Sequence, residues 1–560
     1  MNKYDLLANV IFPDIHETID DLEKRYPQRP LKENAEVTRF APSPTGFLHL
    51  GSLFTSMVAK KVAKDSDGVF YIRLEDTDTK REISGSGEDL LKQLNHFNVT
   101  PDEGYLGDHE EGNYGPYKQS DRANIYKIVI KQLIKEGRAY PCFCSSDELE
   151  EIRKIQEANK EIPGYYGKYA KYRDYDIDKA IERIKNNEPY VIRFKSMGDH
   201  NNKVTFKDEI RGEISIAEND LDIVILKGDG LPTYHFAHAC DDHFMRTTTV
   251  IRGEEWISST PIHLELFETL HFPLPKYAHL PVIMKLDNGN RRKLSKRKDP
   301  EASVAHFIEV GFPVEALQVY LMSIANSNFE EWTAENKSFN IDEFKFSFNK
   351  MSLDGVLFDQ DKLNYFSKEL IAKFSAEDLY NRVLEWSKKY NTTLYEHIFD
   401  KKEYVVNILN IERGGEKARK DYCCYNDIYP LIRFFFNDQY EQIISDQLPF
   451  NENISKEVIK EVLLDFASSN DYSLGNDVWF NSVKQLSIRH QFAENNKMFK
   501  ANREAYLGHS GDVAEMIRIA LTGSKQSPNL YFVIQILGKD EVNRRINEIV
   551  EKLAWFCFNF

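Results

Sequence analysis

The chain has 560 residues, 41% hydrophobic and 12% aromatic, which is enough to bury several cores. Length alone suggests about three to five domains. A balance of 73 Lys+Arg against 89 Asp+Glu gives a net charge of −16, which excludes a surface committed throughout to nucleic acid or anionic lipid and confines any such contact to a local basic face. Six cysteines are too sparse for a disulfide framework, no apolar run approaches the length of a membrane span, and no basic start marks a signal peptide, so a reduced, cytoplasmic protein without a membrane segment is expected.

Residues 1–35 are charged and partly helical, and close in "YPQRPLKENAE", which reads as a linker or arm. "EVTRFA" is then a β-branched strand stopped by Pro42 and Pro44. "GSLFTSMVAKKVAKD" follows with Leu53, Met57, Val58 and Val62 at helical spacing, and "GVFYIRLEDTD" is a strand with an acidic end. Strand, loop, helix, strand points to a doubly wound parallel sheet. From about Gly115 to Gly230 the pattern changes: "CSSDELEEIRKIQ" opens on a capping box, Ser145 and Glu148, and "PYVIRFK" and "LDIVILKG" are strands between polar turns. This stretch reads as an inserted α+β domain, because the α/β pattern resumes in "LPTYHFAHACDDHF" and "TTTVIRGEEWISST". Beyond about Leu370 helices dominate. "FSAEDLYNRVLEW" carries a capping box (Ser375, Asp378) and a hydrophobic staple (Phe374, Leu379), and "ISKEVIKEVLLDFASS" repeats apolar residues every three or four positions, so the C-terminal third is expected to be all-α.

Two stretches carry chemistry. "RFAPSPTGFLHLGS" ends a strand and opens a helix, whose unpaired N–H groups and dipole suit a polyphosphate, with His49 and Gly51 at its mouth. Taken alone, it reads equally as a strand-to-helix turn with a capping histidine. In "RRKLSKRK", six of the eight residues from Arg291 to Lys298 are basic. Flanked by "DNGN" and "DPEA", they read as an exposed, mobile loop able to close on a triphosphate; the plainer reading is a solvated or RNA-contacting patch.

Together the two stretches resemble the HIGH-type and KMSKS-type signatures of class I aminoacyl-tRNA synthetases, in the forms "PSPTGFLHLGS" and "KLSKR" of the glutamyl enzymes. The resemblance extends over residues 36–370 through "RLEDTD", "GPYKQSDRANIY", "DGLPTYHFAHACDDH" and "VIRGEEW". It implies a split Rossmann-type catalytic domain, with glutamate activated by ATP and Mg²⁺ to an adenylate and then transferred to the 3′ end of tRNA(Glu). His49 and Gly51 would hold ATP, and Lys296, with Lys293 beside it, would neutralise phosphate charge. Arg39, Ala41, Ser43, Glu75, Tyr234, His238 and Arg252 would form the glutamate pocket. In that pocket a carboxylate such as Glu75 suits an ammonium, and a guanidinium such as Arg252 or Arg39 suits a side-chain carboxylate. The plainer readings pair Arg252 with Glu254 or Glu255, and Glu75 with Arg73.

The resemblance divides the chain into an arm (1–35), two catalytic halves (36–115, 231–284), an inserted acceptor-stem-binding domain (116–230), a stem-contact domain with the KLSKR loop (285–370) and helical anticodon-binding domains (371–560). "PSPTG", Arg252 and the helical C-terminal third favour glutamate over glutamine as substrate. Ser52 stands where the general signature has its last histidine, and His238 where some relatives have asparagine. Cys142 and Cys144 match half of a zinc site found in some relatives, but "GYYGKYAKYRDY" offers Tyr169 and Lys171 in place of further soft ligands, so no zinc is expected. A monomer is expected. The alternatives are a form that also charges tRNA(Gln), and an inactive, synthetase-like tRNA-binding protein.

Overall fold

Asn2 and Thr18 each start a short helix through a reciprocal capping box, with Asp5 and Asp21 as the returning carboxylates. The two helices are α1 (Lys3–Ile11) and α2 (Ile19–Arg25) in the computed structural model, which describes residues 2–44, 46, 48–78, 85–295, 297–414 and 418–555. There follow β1 (Val37–Phe40), α3 (Leu50–Asp65), β2 (Val69–Ile72), α4 (Ser86–His96), β3 (Glu103–Tyr105) and β4 (Glu110–Glu111). The strand-helix-strand expectation holds: β1, β2 and β3 lie parallel in that order, with β4 antiparallel at the edge.

The next elements are α5 (Ala123–Lys135), β5 (Ala139–Cys142), α6 (Ser146–Ala158), α7 (Ile177–Lys185), β6 (Val191–Phe194), β7 (Lys203–Asp208), β8 (Gly212–Ala217) and β9 (Val224–Leu226). Then come α8 (Tyr234–Phe244), β10 (Thr249–Gly253), α9 (Thr260–Thr269), β11 (Lys276–Leu280), the hairpin β12 (Ile283–Asp287) and β13 (Asn290–Lys293), and β14 (Val356–Leu357). Strands β5, β6 and β9 form their own antiparallel sheet. Strands β10 and β11 are parallel, and Val37 O accepts from Thr248 N at 3.0 Å, so β10 runs beside β1 and the parallel sheet continues across the intervening residues.

Two expectations about segment borders change. The β7–β8 hairpin, sequentially inside the expected insertion, pairs with β11 through Tyr277 and Asp208, so it extends the sheet of β10 and β11. Alternation marks a hairpin but does not say which sheet edge it joins. The N-terminal arm is a packed part of the core: Leu7, Ala8 and Phe12 are buried with Tyr71, Val129, Ile192 and Phe236. Lys131, on α5, donates to Phe12 O and Ile15 O at 2.9 and 2.7 Å. In α1, KYDLLANVI, buried Leu7 and Ala8 stand beside exposed Tyr4 and Leu6, so the apolar residues do not by themselves mark the face that packs.

The chain divides into two compact units, residues 1–307 with 317–359, and residues 308–316 with 360–560. The second unit is helical, as expected, but it starts at Gln360 rather than 371 and takes residues 308–316 with it. Its core gathers Leu379, Trp479, Ile517, Val533 and Ile546. Arg545, fully buried there, donates to Phe434 O and Leu521 O at 2.7 and 2.8 Å and so satisfies carbonyls that would otherwise be stranded. Ser375 caps its helix by accepting from Asp378 N, whereas the Asp378 carboxylate turns to Arg382 at 3.1 Å.

Candidate active site

A cavity of about 930 Å³ opens in the first unit where β1, β2 and β10 end and α3 and α8 begin. Arg39, Ala41, Ser43, His49, Gly51, Glu75, Tyr234, Arg252 and Lys293 all line it. Both expected half-sites therefore meet in one chamber. Lys296 lies outside the described residues.

The expected capping histidine and the expected ATP ligand are the same residue. His49 is the N-cap of α3, its Nδ1 accepts from Gly51 N at 3.1 Å, and Ser52 N and Leu53 N both donate to His49 O. The backbone donors pictured as open to phosphate are thus met within the turn. What the helix start offers a phosphate is its dipole and the donor side of the ring, since a neutral imidazole accepting at Nδ1 carries its proton on Nε2.

The amino-acid side is a buried ion network. Arg39 leaves β1 to meet Asp242 through Nε, 3.2 and 3.3 Å from the two carboxylate oxygens. Arg73 bridges Asp242 at 2.7 Å and Glu75 at 2.9 Å, and Asp241 is held by Arg122, Gln119 and Tyr126. Burial alone would raise Asp242, but Arg39, Arg73 and His238 together hold its carboxyl well below the usual range. Burial raises Glu75 despite Arg73, so a cation brought by a ligand would relieve it. The plainer pairing of Glu75 with Arg73 is present, and it leaves the carboxylate on the cavity wall.

Tyr234 opens α8, with its ring centroid 4.4 Å from that of Trp256. His238, expected to touch glutamate, does not line the cavity. It sits one turn further along α8, 0% exposed, with Nδ1 2.7 Å from Asp242 Oδ2 and Nε2 3.2 Å from Tyr277 Oη. The helical repeat that puts Tyr234 on the wall puts its i+4 neighbour deeper on the same face. Burial pushes His238 down to about 3, against the pull of Asp242, so the ring is neutral.

Arg252, at the end of β10 and 5% exposed, pairs with neither Glu254 nor Glu255. Among the described residues its partners are His279 Nε2 (3.0 Å), His263 Nδ1 (3.1 Å), Thr260 Oγ1 (2.9 Å) and Trp256 O (3.4 Å). Nothing in the sequence pattern singles out His263 or His279, each standing apart from the quoted motifs. Arg73, Asp241 and Asp242 lay inside quoted motifs, but nothing local showed that they would converge.

The basic loop is exposed at Arg291, Lys293, Arg297 and Lys298, as expected, and residues among them anchor it. Leu294 is buried, Arg292 holds Asp299 through two contacts of 2.5 and 2.8 Å, and Ser295 N donates to Asp299 at 2.8 Å. Lys293 is more than half exposed, 3.4 Å from Glu255. Val304 N donates to Leu48 O at 3.1 Å, so the chain leaving the loop runs against the segment that carries His49.

Among the described residues no group of three or more His, Cys, Asp or Glu is placed to hold a metal ion. Cys144 donates to Tyr165 Oη at 3.7 Å, while Tyr169 and Lys171 turn to Glu161 and Glu148, so the side chain that faces the thiols is Tyr165 rather than either expected one. No described helix is long and apolar enough to cross a membrane.

An α/β sheet that brings a HIGH-type turn and a KMSKS-type loop to one chamber defines a class I aminoacyl-tRNA synthetase. Residues 36–365 match the family of class I tRNA synthetases (E and Q), catalytic domain, and residues 494–550 match an anticodon binding domain; the chain belongs to that synthetase family. It is 44% identical to a glutamate–tRNA ligase of Clostridium perfringens (strain 13 / Type A) over 545 residues, which are 97% of this chain and 100% of that one. It is 45% identical to the glutamate–tRNA ligase of Acetivibrio thermocellus over 548 residues, 98% of this chain and 100% of the relative. Among solved structures it resembles a glutamate tRNA ligase from Elizabethkingia meningosepticum in complex with its amino acid, with a TM-score of 0.74, 29% identity, and 93% and 100% of the two chains covered.

Proposed function

We propose that the chain is a glutamate–tRNA ligase: it joins L-glutamate to ATP as glutamyl-adenylate and passes the glutamyl group to the 3′ end of tRNA(Glu). The observation that carries this is one cavity lined on one side by His49 and Lys293 and on the other by Arg39, Glu75, Tyr234 and Arg252. The α-carboxylate is charged at neutral pH and attacks the α-phosphorus directly, with pyrophosphate leaving, so the protein's task is to position and to stabilise charge. Arg252 receives the side-chain carboxylate and Glu75 the α-ammonium, with Arg39, Ala41 and Ser43 shaping the floor. His49 donates from Nε2 to phosphate oxygens, and Gly51 keeps the helix start open. Lys293 and Lys296 meet the charge that builds on the leaving phosphates.

Magnesium would arrive with ATP. The described residues offer no group of three or more His, Cys, Asp or Glu to hold it alone. The stem-contact role of residues 116–230 and 285–370, and the anticodon role of the helical unit, belong to the same reading; the match of residues 494–550 to an anticodon binding domain supports the second.

Exchange of labelled pyrophosphate into ATP, with and without tRNA(Glu), tests it. Exchange that depends on glutamate and is not reproduced by glutamine is expected; none under either condition overturns the reading.

A further inference from the structure

Arginine carries only donors, so every atom that faces Arg252 at hydrogen-bond distance presents a lone pair. His279 Nε2, 3.0 Å from Arg252 Nε, is therefore unprotonated, and that ring's proton sits on Nδ1, 2.7 Å from Asp208 Oδ2. His263 Nδ1, 3.1 Å from the guanidinium, is unprotonated as well, and its Nε2–H donates to His235 Nδ1 at 3.0 Å. Asp208 is steadied in turn by N–H groups of His279, Ile210 and Arg211 at 3.0 to 3.1 Å. One guanidinium thus sets the tautomers of three imidazoles contributed by β11, α9 and α8. The contrast with Arg39 is direct: Arg39 meets the Asp242 carboxylate, whereas Arg252 meets no carboxylate among the described residues.

We propose that His279, oriented by Asp208, and His263 opposite it are positioning and specificity-determining residues, which hold Arg252 by neutral acceptors so that its charge stays uncompensated until an amino acid brings a side-chain carboxylate. A resident carboxylate would hold the guanidinium as firmly but would compete with the substrate for it. Neutral acceptors fix direction without cancelling charge. An amide entering the same place brings no charge and leaves the buried cation uncompensated, which is how the pocket rejects glutamine. The inference rests on the reading of Arg252 as the group that meets the glutamate side chain.

The experiment is pyrophosphate exchange with tRNA(Glu) present, on full-length His279→Leu and His279→Gln. Leucine removes the acceptor, and glutamine restores one. For His279→Leu we expect KM for glutamate to rise about tenfold or more, the preference for glutamate over glutamine to fall by a similar factor, and kcat and KM for ATP to change less than about threefold, with most of the loss recovered in His279→Gln. Equal behaviour of the two variants, or a loss that falls alike on kcat and both KM values, overturns the proposal. Arg252→Lys separates the layers. If it leaves KM for glutamate unchanged, the assignment of Arg252 fails and the proposal with it; if it raises KM while His279→Leu does not, the proposal alone fails. Nitrogen-15 spectra of histidine-labelled unmodified protein need no variant to fold: protons on His279 Nδ1 and His263 Nε2 are expected, and a doubly protonated ring at either position overturns the proposal.

Discussion

The two walls of the cavity are built on opposite principles. On the amino-acid side Arg39, Arg73, Asp242 and Glu75 are buried, cross-linked ions, each fixed by at least one partner. On the phosphate side the named groups are a histidine that caps its own helix and a lysine more than half exposed. The difference follows from the task. Telling glutamate from glutamine needs groups that do not rearrange, because an adaptable pocket would accept both. Meeting charge that appears only during reaction needs cations that can follow it.

That contrast can be broken most severely at Asp242. Asp242→Asn leaves Arg39 and Arg73 buried without the carboxylate they share, and we expect the first unit to lose about 3–5 kcal/mol of stability in urea unfolding. On the other wall, Lys296→Ala should lower kcat by about 10²–10³-fold while KM for ATP moves little; an equal loss in both would mean the lysine binds the ground state as well. Lys293→Ala should follow the same pattern more weakly, by about tenfold, since Glu255 already shares its charge.

Acid sharpens the comparison from the buried side. Burial lowers His238 to about 3 and His235 to about 4, and His263 well below its ordinary value. Unfolded, these rings titrate near 6.5, so below that pH the unfolded chain binds more protons. Their contribution to stability is full above about 6.5 and is lost as the pH falls. At pH 5 each ring held neutral costs about 2 kcal/mol, and melting followed at pH 7.5 and pH 5 should show a marked drop. The smallest effect separates cap from chemistry. His49→Asn keeps an acceptor for Gly51 N, whereas His49→Ala loses it, so their stabilities should differ by about 1 kcal/mol while both lose turnover through the missing Nε2 donor.

Much of this was legible because it is local. The β1–α3–β2 unit announces itself in period and punctuation, and the two signatures each place several site residues at once. What stayed hidden depends on convergence. His279 reads as one more residue of an apolar strand, His263 as one of a helix, and Asp208 as the end of a hairpin that pattern assigns to another domain; only the β7–β11 pairing and the fold of α9 bring them round Arg252. The N-terminal helix reads as part of an arm for the same reason, since its apolar residues lie on both faces and nothing marks the packed one until α5 is beside it.

The seam between Leu48 and Val304 bears on how the two flanks of the basic loop are held. Downstream, the chain is tied to the very turn that presents His49; upstream, Leu294 is sunk into the protein and Arg292 is clamped to Asp299. Chamber and loop flanks therefore share one mechanical frame although the sequence separates them by some 240 positions.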